Sequence, residues 1–209
     1  QDSGVSGSPG AFVKVGTSIL TVSGFASYSG TTTISAGTLK VGIAGGWVPN
    51  GSALTVTGTF DLAGYNEIVG SVGGAGAITL GSGSLTSGSL SSTFSGIISG
   101  SGSIVKSGTG VLTLSGANSY TGLTTVSGGI LRQGAAGVIS DSSSVSVDSG
   151  GEWDLNEYSE TVSSITGAGS ITLGENSTDT TNVLTFGGCG CTATFSGVIS
   201  EAGSITKLG

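Results

Sequence analysis

The sequence predicts an all-β chain wound as a β-solenoid. Three observations carry this: a strand-and-turn composition, period-two alternation of aliphatic and small polar residues, and a long internal repeat. Gly accounts for 42 of 209 residues, Met is absent and charged residues are only 8%. The abundant Thr, Val and Ile favour strands, and Gly and Ser favour turns. The segments VLTL (Val111–Leu114), TFDL (Thr59–Leu62), SITL (Ser170–Leu173) and VLTF (Val183–Phe186) alternate apolar with polar. That is the pattern of a strand with one buried face.

The repeat organises the chain. Residues 12–42 and 104–134 are offset by 92 and identical at seventeen of 31 positions. The match continues with FDLAGYNEIVGSVGGAGAITLG (Phe60–Gly81) against WDLNEYSETVSSITGAGSITLG (Trp153–Gly174). A third element occurs three times, at Ser3–Gly16, Ser95–Gly108 and Ser196–Gly209. Its copies are spaced by 92 and then 101 residues, which places an insertion near ENSTDTTN (Glu175–Asn182) and GGCGC (Gly187–Cys191). The expected organisation is one continuous solenoid over 1–209: unit one at about 3–94, unit two at about 95–195, and the start of a third at 196–209. A repeating text lets each coil stack on its equal, so successive strands form parallel sheets. At roughly 20 residues per coil each unit spans four or five coils. The pattern stops partway through a third unit, as a piece of a longer protein or a unit that joins end to end would.

Recurrent aromatics fit the same reading. Phe60 and Trp153 are equivalent, as are Tyr28 and Tyr120, Tyr65 and Tyr158, and Phe94 and Phe195. They are expected as stacked core or corner residues rather than a carbohydrate-stacking platform. The basic residues also fall at equivalent places, Lys14, Lys106 and Lys207 in one set and Lys40 and Arg132 in another. This is a structural pattern and not a patch.

Composition excludes several functions. A net charge of −7 with five basic residues leaves no cationic surface for phosphates, so no nucleic-acid partner is expected. No stretch has the 18 or more apolar residues of a membrane helix, so no membrane span is expected in this chain. The start, Gln1-Asp2-Ser3, shows no signal peptide, though a cleaved one leaves no trace. The absence of His removes the Ser-His-Asp triad and most zinc sites. No G-x-S-x-G elbow occurs. GSGSI and GAGSI lack the third glycine of a dinucleotide loop. No Asp recurs at the spacing of a calcium-binding nonapeptide. No catalytic, cofactor-binding or metal-binding residues are assigned, and no cofactor is expected.

Two clusters stand out. Asp148, Glu152, Asp154, Glu157 and Glu160 form an acidic group. Converging carboxylates could hold calcium or serve glycoside hydrolysis. The preferred reading is a solvated negative flank, because Asp61 and Glu67 repeat Asp154 and Glu160 in the first unit. The second is Cys189-Gly190-Cys191, a candidate local disulfide closed by a turn at the intervening glycine. Free thiols or bonds to a neighbouring molecule are the alternatives.

KSGTGVLTLSGANSYTGLTTVSGGIL, from Lys106 to Leu131, resembles the passenger-associated repeat of bacterial autotransporters. Lys106, Gly108, Gly110, Leu112, Leu114, Gly116, Asn118, Tyr120, Gly122, Thr124, Gly129 and Leu131 carry the resemblance. The first copy departs from it, with Ser18 for a Gly and Ala26 for the Asn. The resemblance implies a right-handed parallel β-helix, secreted and displayed on the bacterial cell surface, anchored in the outer membrane by a C-terminal barrel in the full-length protein. The chain itself shows no barrel pattern. The expected role is a non-enzymatic structural or adhesive stalk with a host or neighbouring-cell ligand. Head-to-tail self-association into a filament or sheath is the first alternative, and a carbohydrate-active β-helix enzyme the second.

Overall fold

A computed structural model describes residues 10–174 and 181–209 and the strand Val5–Ser6. The described chain is all-β, a right-handed parallel β-helix without an α-helix. The predicted insertion at Glu175–Asn182 lies mostly outside the described residues, which resume at Thr181.

The stacked coils present three faces, and not every coil has a strand on each. The first face is an eleven-stranded sheet running from Val5–Ser6 through Phe12–Lys14 and on to Val198–Ser200. Val5–Ser6 is antiparallel to Phe12–Lys14, and the later neighbours in the sheet are parallel, one strand per coil. The second face is a six-stranded sheet from Glu67–Val69 to Ser164–Gly167. The third face begins as a five-stranded sheet, Ile19–Val22 to Ile97–Ser99, and resumes as Glu160–Val162, Val183–Phe186 and Ser204–Lys207.

Side chains bridge the gap in the third face. Asn118 Oδ1 accepts the Ile98 N–H at 2.7 Å, and its Nδ2 donates to the Val138 carbonyl at 2.7 Å. Ser119 N–H donates to the Ile98 carbonyl at 2.9 Å. One coil further on, Glu160 Oε2 accepts the Ile139 N–H at 3.0 Å. Backbone polar groups buried without partners are costly, so an amide side chain takes over where the ladder lapses.

The core is a set of stacked columns. Leu112, Leu131, Trp153 and Ile171 are in register on the first face, and Leu39, Phe60, Ile78 and Ile98 on the third. All eight are buried, each contributing roughly 1.5–3 kcal/mol. The earliest coils carry an aromatic cluster instead. Phe12 packs edge-on to Trp47 with ring centroids 4.6 Å apart, and Tyr28 lies 5.8 Å from Trp47. Between coils some corners admit only glycine. A Cβ on Gly96 would lie 1.8 Å from the Gly76 carbonyl oxygen, so the backbones there touch directly.

The repeat and the coil are out of step. Strand neighbours one coil apart differ by about 20 residues, as in Phe12 beside Thr32 and Ile104 beside Thr124. An offset of 92 is therefore about four and two-thirds coils. Equivalent strands consequently sit on different faces. Phe12–Lys14 lies on the first face, its equivalent Ser103–Lys106 on the second, and the next, Ser204–Lys207, on the third. Ile19–Val22 is likewise on the third face, and Val111–Leu114 on the first. Each repeat turns its features by one face relative to the last.

Candidate functional site

The repeat-equivalent charged and polar residues act between coils. Lys106 is fully buried at the end of its strand. Its Nζ donates to the carbonyls of Gly88 (3.1 Å), Ser107, Gly108 (3.2 Å) and Gly128 (3.4 Å). Burial pulls its pKa down from the ordinary lysine value. Lys14 is built the same way, donating to Val15 (2.8 Å), Gly16 (2.7 Å) and Ala36 (3.2 Å). The ammonium thus satisfies corner carbonyls from the coil and its neighbour. Lys207 repeats the local contacts, to Leu208 and Gly209, but is exposed.

Glu67 and Glu160 form a second equivalent pair. Glu67 Oε2 accepts the Trp47 N–H at 2.8 Å, as Glu160 accepts that of Ile139, the residue equivalent to Trp47. Glu160 also accepts Gln133 Nε2 at 2.8 Å and the Thr161 N–H at 3.0 Å. Burial raises the pKa of both, offset in part by these N–H donors. For Glu160 the value rises to about 7, with Asp141 nearby adding to the shift.

A third pair is ionic. Lys40 lies 3.5 Å from Asp61, and Arg132 Nε lies 2.6 Å from Asp154. The same carboxylates shape turns. Asp61 Oδ1 accepts the Ala63 N–H and Asp154 Oδ1 the Asn156 N–H, each at 2.8 Å, and Ala63 and Asn156 have φ of 52° and 50°. A capping carboxylate stabilises this left-handed turn. Tyr28 and Tyr120 hydroxyls bond Thr32 and Thr124 Oγ1, and Tyr120 is fully buried.

The acidic group therefore is not the solvated flank the sequence suggested. Asp154 and Glu160 are buried and committed to the coil contacts above. Glu152 accepts Thr172 Oγ1 at 2.9 Å, and Asp148 accepts Ser146 Oγ at 3.0 Å. Asp148 and Glu157 are exposed. Among the described residues no three carboxylates or cysteines converge as metal ligands. Their sequence signal was present but misread: a charge recurring in a chain this poor in charge marks a buried contact as readily as a surface. The aromatic set also divides. Phe60, Phe94, Tyr120 and Trp153 are fully buried, whereas Tyr65 and Tyr158 are 37% and 38% exposed at corners.

The cysteines lie apart from these columns. Eight residues, 187–194, join Phe186 to Phe195, where six, 88–93, join the equivalent Ser87 to Phe94. The strand Ser92–Phe94 has no counterpart here beyond a single bridge from Phe195 to Gly167. Cys189 and Cys191 have Cα atoms 5.2 Å apart and their sulfurs in bonding contact. Residues 188–194 are all exposed.

Two of the open hollows are glycine-floored grooves at equivalent corners. One is bordered by Gly37, Gly58, Gly76 and Gly96, the other by Gly129, Gly151 and Gly169, with Ile97 and Val198 at corresponding rims. They contain no converging ionisable groups.

Comparison with known proteins agrees with the motif reading. The passenger-associated-transport-repeat family matches residues 12–41 and 104–132. The adhesin BmaC autotransporter of Brucella suis biovar 1 (strain 1330) is 33% identical over 149 residues. That stretch covers 66% of this chain and 4% of the relative, so the chain spans a small part of its length. No solved structure matches the chain. Paired transport repeats, wound into one parallel β-solenoid and akin in sequence to a stretch of an autotransporter adhesin, support an autotransporter passenger domain.

Proposed function

We propose that the chain is a structural and adhesive stalk segment, without a catalytic role, in a passenger secreted to the bacterial surface and anchored through the outer membrane. The observation that carries this reading is how the recurrent residues are used. Lys14 and Lys106, and Glu67 and Glu160, hold one coil to the next, while Tyr28 and Tyr120 each fasten a bend within their own coil. What the repeat preserves is stiffness. Continuous ladders and stacked aliphatics make a rod, with a rise of about 4.8 Å per coil. The adhesin relative supports a ligand on a host or neighbouring cell.

The test is to immobilise the purified chain and flow intact cells over it, with an equally acidic globular protein as control. Retention above the control is expected, with no release of reducing sugars from added polysaccharide. Equal retention would overturn the adhesive part, and sugar release the non-enzymatic part. Electron microscopy of the same sample, diluted in steps, checks the head-to-tail alternative. Short single rods at every concentration support a stalk, and lengthening fibres support assembly.

A further inference from the structure

We propose that Cys189-Gly190-Cys191 is a thiol–disulfide exchange site, at which an external thiol is captured on Cys191. The loop differs from the solenoid around it in three ways. It is longer than its equivalent in the first unit and has lost that unit's strand pairing. It is exposed from Gly188 to Thr194. And its glycines beside the cysteines are open: a Cβ on Gly188 or Gly190 would meet no atom within 4 Å, whereas one on Gly96 or Gly197 would meet a carbonyl oxygen within 2 Å. An attacking thiolate therefore has free approach to both sulfurs.

The loop geometry closes the ring and gives it a direction. Gly190 has φ of 63°, which glycine adopts readily and other residues do not, and its N–H turns back to the Gly187 carbonyl at 3.4 Å. The Cys191 N–H points at Cys189 Sγ, 3.3 Å away. Negative charge on Cys189 sulfur is thereby stabilised, which makes it the better leaving group. Asp141 borders the groove beside Cys189 and repels a thiolate arriving there. Lys207 borders the hollow beside Cys191 and attracts one.

The step balances without an oxidant. The external thiolate attacks Cys191 Sγ, and a new S–S bond forms as the Cys189–Cys191 bond breaks. Cys189 departs with the electron pair and takes a proton from water. One disulfide is consumed and one formed. A ring with a single intervening residue constrains the unfolded chain little, so the bond adds little to the fold. Exposed disulfides of this kind are the labile ones.

The test uses the whole chain from an oxidising compartment, first treated with an alkylating agent in the folded state. No label is expected, and labelled cysteines would overturn the proposal. Glutathione is then added, and samples are quenched with acid, alkylated and mapped by mass spectrometry. Reduction of the folded chain is expected within about tenfold of the rate in urea, with the β-sheet circular dichroism unchanged. A folded rate more than about a hundredfold slower would overturn the proposal. In the quenched samples of the unaltered chain the mixed disulfide is expected on Cys191, with the alkyl label on Cys189. Mixed disulfide found chiefly on Cys189, with the label on Cys191, would overturn the assigned direction.

Discussion

Glu160 sits one coil beyond Ile139 and accepts its backbone N–H at 3.0 Å from a buried position. Its folded pKa of about 7 stands above the ordinary 4.5 because burial penalises the carboxylate. The folded state then holds this proton more tightly than the unfolded chain does. The stabilisation is complete below pH 4.5 and is lost as pH rises towards 7. We expect thermal stability to fall across that window by on the order of 3 kcal/mol from this group. Glu160→Gln should flatten the fall and leave the variant the more stable protein above pH 7. Thermal melts followed by circular dichroism at a series of pH values check this, and parallel profiles for the two proteins would refute it.

Lys106 supplies the cation for four corner carbonyls. Lys106→Met keeps the stem and removes the donors, leaving those carbonyls without this partner. A loss of about 2–4 kcal/mol is expected, read as a lowered urea midpoint with unchanged slope. Lys207→Met, at an exposed position, should cost less than about 0.5 kcal/mol.

Asn118 replaces a strand pairing with two side-chain hydrogen bonds. Asn118→Ala orphans the Ile98 N–H and the Val138 carbonyl, at about 1–3 kcal/mol each. Hydrogen exchange offers a local readout. The Ile98 amide should exchange at least tenfold faster in the variant, while the Leu39 amide, three rungs from it on the same face, keeps its protection.

Gly96→Ala and Gly188→Ala form a matched pair. The first drives a methyl group to 1.8 Å from the Gly76 oxygen, and the second meets nothing within 4 Å. The corner variant should lose more than about 3 kcal/mol or fail to fold, and the loop variant should change stability by less than about 0.5 kcal/mol. Chemical denaturation of both decides it, and equal stabilities would show that coils can move apart at this corner.

Much of the architecture was legible before any coordinates. Alternation in segments such as Val111–Leu114 placed Leu112 and Leu114 inside, and both are buried. Trp153 and Phe60 were read as core or corner residues from their equivalence, and both are fully buried in the core. The acidic group was misread because the chemistry of a carboxylate does not reveal which side of a coil it faces. Glu160 and Glu157 differ by three residues, and one is buried while the other is exposed. Tyr65 and Tyr158 recur as faithfully as Tyr28 and Tyr120 but lie at open corners.

By itself the sequence determined that the chain is a β-solenoid of repeated units, because alternation and glycine punctuation are local properties written residue by residue. Tertiary structure alone decided where each unit points. The coil length is set by the register in which strands stack, about 20 residues, and 92 is not a multiple of it. That mismatch places Lys14 on the first face and Lys106 on the second. Stacking register is a property of neighbours in space, so only the folded coils could show it.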